Sequence, residues 1–211
     1  MATKSINAPQ SMLRMAPSGL GVEAHGDQHR LFFALVPDTA VRHRIFDVAE
    51  HLKAQQHPRG SWIAPERYHL TLHFLGGSAE LNRDLVDRAG KAAACVRMSA
   101  FNLVIDHGTS FPGPKPPWVL RCPEPSDAIQ QLWRALGIAL VGERIGRESG
   151  SNFTPHVTVL RHADKPLAPY LFAPVEWLAQ DFVLIHSQPG PERRYMELGR
   201  WPLLKPEQSS P

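Results

Sequence analysis

The sequence predicts an α/β (α+β) protein of two similar lobes, each an antiparallel-rich sheet backed by helices, with a cleft between them. Three observations favour this arrangement. Short apolar, strand-like runs alternate along the chain with amphipathic, helix-like segments. The pattern His-apolar-Thr-apolar occurs twice, at His69–Leu72 and at His156–Val159. One copy lies in each half of the 211-residue chain, as duplication of a half-domain would place them.

The first predicted elements are a buried strand and an amphipathic helix. Leu31–Val36 is a short apolar run that Pro37 ends, which is typical of a buried strand. Asp38 or Thr39 can cap a helix that runs to about Gln55, because apolar residues then recur at helical spacing.

The first motif lies in the next strand-like run. Tyr68–Leu75 alternates as a strand does, and we expect it to end at Gly76-Gly77. An amphipathic helix over Leu81–Arg97 and an alternating strand over Phe101–Asp106 follow. The prolines of 111–117 exclude both helix and interior strand, which predicts a surface loop.

The second half repeats the order of strand, helix and motif strand. The predicted elements are a strand over Trp118–Arg121, a helix from Ser126 or Asp127 to about Gly142, the second motif strand over His156–Leu160, a short helical turn near Glu176, and strands over Phe182–His186 and Arg194–Leu198. We expect residues 30–204 to form one bilobal domain, because no linker separates the halves. Residues 1–29 read as a disordered leader and 205–211 as a frayed tail.

Composition narrows the class of protein. A formal charge of +3 is a mild basic excess that suits an anionic substrate but lacks dense Lys/Arg tracts. Cys95 and Cys122 are too few for a disulfide scaffold or a cysteine metal site. No segment has the length of a transmembrane helix or the pattern of a signal peptide. We therefore expect a cytoplasmic protein without membrane contacts, and nothing indicates an obligate protein partner.

The repeated motif predicts acid-base chemistry on a phosphodiester. Because side chains alternate along a strand, each His shares a face with its Thr. One neutral imidazole can take a proton from water while a protonated one gives a proton to the departing oxygen, since the ordinary pKa lies near 6.5. The hydroxyls of Thr71 and Thr158 can donate to phosphate oxygens. This scheme requires no metal and no cofactor, and the acidic residues form no hard-cation cluster.

The motifs and their flanks resemble a known family. The resemblance covers Arg30 to Leu203 and rests on Arg30–Leu35, on Trp62 through Pro65 and Glu66 to His69–Gly76, and on Phe153–Arg161. These segments are similar to those of the 2H phosphoesterases, and most of all to the bacterial RNA 2′,3′-cyclic phosphodiesterases, also called 2′-5′ RNA ligases.

The resemblance implies a bilobal fold with both motifs in a central cleft, and metal-independent opening of a ribose 2′,3′-cyclic phosphate to a 2′-phosphate. It also raises reversible 2′-5′ RNA ligation as an activity. By analogy, His69 would be the acid that protonates the O3′ leaving group and His156 the base that orients water. Phe74 and Arg161 match positions that contact the terminal base. Regular alternation would place these two residues on the face opposite the histidines unless the strand twists or ends there.

Several alternatives stay open. The substrate could be an RNA end, a 2′-5′ oligonucleotide or a small cyclic nucleotide, and a module that binds RNA ends without turnover would use the same cleft. His73 shares strand parity with His69, so the two could be metal ligands, although further ligands are missing. The tryptophans are expected to anchor the core and loops rather than stack on bases, and they are Trp62, Trp118, Trp133, Trp177 and Trp201.

Overall fold

The computed structural model describes residues 28–122, 126–146, 153–190 and 194–205. In chain order, its elements are β1 (His29–Leu35), α1 (Thr39–Gln56), β2 (Ser61–Trp62), a 3-10 turn (Pro65–Arg67), β3 (Leu70–Ser78), α2 (Arg83–Ala94), β4 (Phe101–Ser110), β5 (Trp118–Arg121), α3 (Asp127–Gly142), β6 (His156–Arg161), β7 (Tyr170–Ala179), β8 (Asp181–Ser187) and β9 (Tyr195–Pro202).

The nine strands of the described residues belong to one antiparallel sheet. The strand order is β7-β4-β5-β6-β3-β1-β8-β9, and β2 pairs beside β6. The motif strands β3 and β6 are therefore neighbours at the centre, flanked by β1 and β5 respectively. The units β1-α1-β3 and β5-α3-β6 have the same order, which is the structural counterpart of the repeated motif. The expected antiparallel-rich α+β fold with helical backing is confirmed.

The helices cover one face of the sheet, and strand alternation separates the two faces. In β1, Phe33 and Leu35 pack into the main core together with buried residues from all three helices. Phe32 and Ala34 point to the opposite face and form a small second cluster with Val183 and Ile185. This second face carries no helix among the described residues. It is the face on which the motif side chains lie.

The prediction that Gly76-Gly77 ends the first motif strand is wrong. Strand β3 continues through both glycines to Ser78. Leu31 pairs with Gly76 and Phe32 with Phe74, so one residue of β3 is extra at this point, and Gly76 has a φ of 126°. A glycine adopts this conformation without a Cβ clash, so here it accommodates a β-bulge and the strand continues.

The prediction of a helical turn near Glu176 is also wrong, because Tyr170–Ala179 is strand β7. Prolines are frequent before Glu176 and suggested an interrupted segment. However, β7 lies at the edge of the sheet, where a proline removes no interior ladder bond. Pro174 lies at the irregularity where the pairing with β4 shifts between Ile105 and His107.

The other predicted helices and strands are present with bounds that differ by a few residues. The predicted leader and tail lie mostly outside the described residues, although His29 already opens β1. Trp118 and Trp177 are buried in the core as expected. Ile138 of α3 is an exception among the large apolar residues of this helix, because it is 74% exposed. No helix in the described part of the chain is long and apolar enough to cross a membrane.

Candidate active site

The two motifs meet where the central strands pair. Leu70 of β3 lies opposite Val157 of β6, and both side chains are buried in the main core. In an antiparallel pair, the residues on either side of such a position face each other on the opposite face. His69 therefore lies beside Thr158, and Thr71 lies beside His156. The structure brings both predicted His/Thr pairs together on the face of the sheet that carries no described helix, the helix-free face. A local pseudo-two-fold axis relates one pair to the other.

The two histidines are held in the same way. The Nδ1–H of His69 donates to the carbonyl oxygen of Arg67 at 2.7 Å, and that of His156 donates to the carbonyl of Thr154 at 2.8 Å. A carbonyl oxygen only accepts, so in both rings Nδ1 carries the proton. Each neutral ring therefore has Nε2 as its available acceptor. This is the tautomer that a general base requires.

Burial disfavours the charged form of both imidazoles. It lowers the pKa of His69 to about 4 against the opposing effect of the Arg67 carbonyl, and the positive charge of Arg161 lowers it further. Burial also lowers the pKa of His156, again against its carbonyl partner, and the charge of Arg121 adds to this effect. Both rings are therefore neutral near pH 7 in the unliganded protein. An anionic ligand between them would favour protonation of one ring.

Aromatic side chains enclose the histidines. Phe32 and Tyr195 contact the His69 ring, with centroid separations of 5.0 and 5.5 Å. Phe111 contacts the His156 ring edge-on at 4.7 Å. Sequence reasoning missed all three. Phe111 stood at the start of a segment predicted as a surface loop, and the approach of Tyr195 depends on the long-range pairing of β8 with β9.

A cavity of about 120 Å³ opens beside His69. Its lining includes four predicted site residues, namely His69, Thr71, Phe74 and Arg161. The predicted residues His156 and Thr158 lie on the neighbouring strand and do not line this cavity. The other lining residues are Gln28, Arg30, Phe32, Arg67, Ser187, Gln188 and Tyr195.

A β-bulge explains how Phe74 reaches the cavity. On β3, the pairing with β1 skips Leu72, since Ala34 pairs with Thr71 and Phe33 with His73. The extra residue reverses the side-chain alternation beyond it. Phe74, five positions after His69, therefore lies on the same side as the histidine, where regular alternation would have placed it on the other.

The second motif has its bulge at the equivalent position. The pairing of β5 with β6 skips Val159, because Val119 pairs with Thr158 and Trp118 with Leu160. Val159 and Leu160 are consequently both buried. The bulge therefore places the Arg161 side chain on the same face as His156, where it lines the cavity beside His69.

The expectation that His73 shares a face with His69 is wrong for the same reason. Beyond the bulge, His73 turns toward α3, where its Nε2–H donates to the carbonyl of Trp133 at 2.8 Å and its ring stacks on the Trp133 ring. A shared metal site of His69 and His73 therefore has no geometric support. Among the described residues, no group of three or more His, Cys, Asp or Glu side chains is arranged to hold a metal ion.

Arg121 is a further basic residue near the site that sequence reasoning did not single out. It ends β5 directly opposite His156 on the neighbouring strand, so both side chains lie on the helix-free face. Its charge contributes to the lowered pKa of His156.

Paired His/Thr strands at the centre of an antiparallel sheet define the class of the 2H phosphoesterases. Comparison with known sequences agrees: the profile of the 2′-5′ RNA ligase superfamily matches residues 36–189, and the chain belongs to this family. A curated relative, the RNA 2′,3′-cyclic phosphodiesterase of Thermus thermophilus, is 28% identical over 172 residues, covering 77% of this chain and 84% of the relative.

Solved structures of similar fold support the assignment of the chain to this family. E. coli LigT in its apo form is 27% identical and matches with a TM-score of 0.69, covering 85% of this chain and 99% of LigT. LigT complexed with 3′-AMP is 26% identical, with a TM-score of 0.70 over 83% of this chain and 98% of LigT. TT0787 of Thermus thermophilus is 25% identical, with a TM-score of 0.65 over 84% of this chain and 100% of that chain.

Proposed function

We propose that this protein hydrolyses the 2′,3′-cyclic phosphate ends of RNA to 2′-phosphates by acid-base catalysis with His69 and His156. The observation that carries the proposal is the central β3–β6 pair, which places two imidazoles on one face with equivalent hydrogen bonds and available Nε2 atoms. The curated relative named for this activity gives the substrate class.

In the proposed reaction, the Nε2 of His156 takes a proton from water as the water oxygen attacks phosphorus. The P–O3′ bond breaks, and the Nε2–H of His69 gives its proton to O3′, leaving the phosphate on O2′. The hydroxyls of Thr71 and Thr158 donate to the non-bridging oxygens as negative charge builds on them. His69 must enter this cycle protonated, and the charge of the bound cyclic phosphate raises its low pKa toward the required range.

The terminal base is proposed to lie against Phe74 and Arg161. Phe74 is 55% exposed at the cavity, so its ring is accessible for stacking. Arg161 supplies a planar guanidinium on the opposite motif strand, which can stack on a base. The two bulges present both side chains from equivalent positions of the repeat.

The test is turnover of a short RNA ending in a 2′,3′-cyclic phosphate, in EDTA, between pH 5 and 9, with the position of the product phosphate read by ³¹P NMR. We expect a 2′-phosphate and a bell-shaped pH profile whose two pKa values belong to the pair of histidines. His69→Ala and His156→Ala should each lower single-turnover rates by roughly 10²–10⁴. His43→Ala removes an exposed histidine of α1 and is the matched control. A folded His69 or His156 variant with wild-type turnover would refute the proposal.

A small cyclic nucleotide is the second candidate substrate, because the cavity beside His69 is small and LigT has been solved with the mononucleotide 3′-AMP. A panel of cyclic-phosphate RNA, 2′-5′ oligonucleotides and nucleoside 2′,3′-cyclic phosphates separates the substrates. Adding an RNA with a free 5′-hydroxyl to the assay tests ligation. Binding of the RNA end without product under single-turnover conditions would indicate a non-catalytic module.

A further inference from the structure

Basic side chains are the charged groups in the described lining of the cavity beside His69. Three guanidinium groups line it, those of Arg30, Arg67 and Arg161, and no acidic side chain is among its described lining residues. A ribose cyclic phosphate has one negative charge, and the His/Thr pairs are already proposed to bind it. The charges of Arg67 and Arg161 also contribute to the low pKa of His69, so both act at the place where the ligand would bind.

Arg67 is held in a preorganised position. Its guanidinium lies over the ring of Tyr195, 4.7 Å from the centroid, and its Nη2–H donates to the Tyr195 hydroxyl at 3.4 Å. Stacking on an aromatic ring fixes a guanidinium plane and reduces the entropy lost when it binds an anion. Its Nε is buried and has no acceptor among the described residues. The side chain is thus placed at the cavity without an acidic partner in the described structure.

The lining residues of the cavity are spread across the sheet in a way that fits a second phosphate. Thr71 lies on β3, Arg30 on β1 and Ser187 on β8, and Arg30 pairs directly with Ser187. The cavity therefore extends over two interstrand spacings, roughly 10 Å. His69 and Thr71 mark the end where the chemistry is proposed, and Arg30 lies toward the other end. A nucleotide with a 3′-terminal cyclic phosphate and a phosphate on its 5′ oxygen could span this distance.

We propose that Arg67 and Arg30, with the Tyr195 hydroxyl, bind a phosphate on the 5′ side of the terminal nucleotide. The inference rests on the proposed function. It predicts that, because of this site, the enzyme prefers a nucleotide with a 5′ phosphate or phosphodiester to a bare nucleoside cyclic phosphate. Phe74 and Arg161 remain with the base, and the histidines with the cyclic phosphate.

The experiment measures kcat/KM for three substrates. They are adenosine 2′,3′-cyclic phosphate, the same compound with a 5′-phosphate, and the dinucleotide ApA with a 2′,3′-cyclic phosphate. A charge-assisted hydrogen bond predicts that the wild-type protein prefers a 5′-substituted substrate by about tenfold or more. A gain for the 5′-phosphate alone identifies a terminal monophosphate as the ligand, and an equal gain for the dinucleotide identifies the internucleotide phosphodiester.

Variants then test which residues provide the preference. The preference is the ratio of kcat/KM for the 5′-phosphate substrate to kcat/KM for the 5′-hydroxyl substrate. Arg67→Gln should lower this ratio several-fold, and Arg67→Lys should restore part of it. The double variant Arg67→Gln/Arg30→Gln should bring the ratio close to one. Arg44→Gln removes the same charge from the exposed face of α1 and should leave the ratio at its wild-type value. A merely structural defect lowers both rates together and leaves the ratio unchanged, which would overturn the assignment to these arginines.

The wild-type measurement alone also decides the inference. Equal kcat/KM for the 5′-hydroxyl and 5′-phosphate substrates would overturn the second phosphate site and leave the proposed function standing. If none of the three substrates is hydrolysed by the folded protein, the proposed function fails, and the inference that rests on it fails as well.

Discussion

The burial of His69 makes the stability of the fold depend on pH, and the effect can be calculated. The pKa of His69 is lowered to about 4 in the folded protein, whereas an unfolded chain has a value near 6.5. The unfolded state therefore binds the proton first as the pH falls. Stability that is complete above pH 6.5 is lost as the pH falls from 6.5 toward 4. Between pH 7 and pH 5 this single group should cost about 2 kcal/mol of unfolding free energy.

The contribution of His69 to the unfolding free energy can be measured by urea unfolding at pH 7 and pH 5, with wild type compared with His69→Gln. Wild type should lose about 2 kcal/mol more than the variant between the two pH values. His156 is present in both proteins and contributes in the same direction. His43→Gln, at an exposed position of α1, controls for the removal of a histidine. An identical pH dependence of wild type and His69→Gln would refute the conclusion that burial keeps this ring neutral.

Two further predictions concern the neighbours of the histidines. Arg121→Gln removes a charge that lowers the pKa of His156, so the ring should titrate at higher pH in an NMR titration; an unchanged midpoint would contradict the contact across β5 and β6. Phe74→Ala should weaken binding of base-bearing ligands by about 1–3 kcal/mol in calorimetric titrations with 3′-AMP. Phe46→Ala, at an exposed residue of α1, should bind like wild type, and equal affinity of all three proteins would exclude stacking on Phe74.

The local part of the structure could be predicted from the sequence. Alternation along a strand is a property of consecutive residues, so placing each His on the same face as its Thr required only the pattern around His69 and His156. Asp38 as the cap of α1 is equally local, because its side chain accepts from the backbone N–H of Val41. The apolar runs of β1 and β5 were sufficient to identify buried strands.

The pairing of distant strands could not be predicted. A β-bulge is a relation between a strand and its neighbour, and the chain around Leu72 or Val159 contains no glycine or proline that would indicate one. The face assigned to His73 was wrong for this reason, and regular alternation alone would have placed Phe74 on the wrong face as well. The approach of Arg67 and Tyr195 to His69 likewise depends on how β9 pairs at the edge of the sheet.

The two motif histidines have the same backbone frame but different surroundings. Both donate Nδ1–H to the carbonyl two residues earlier, and both precede a bulge at the equivalent position. His69 is enclosed by Phe32 and Tyr195 beside a basic cavity, whereas His156 contacts Phe111. Acid-base catalysis requires the two rings to hold opposite protonation states when the substrate is bound. Because the frames are equivalent, that difference must arise from the side chains around each ring and from where the phosphate charges lie. The arginines that line the His69 side are therefore the residues whose substitution should most directly change the balance between acid and base.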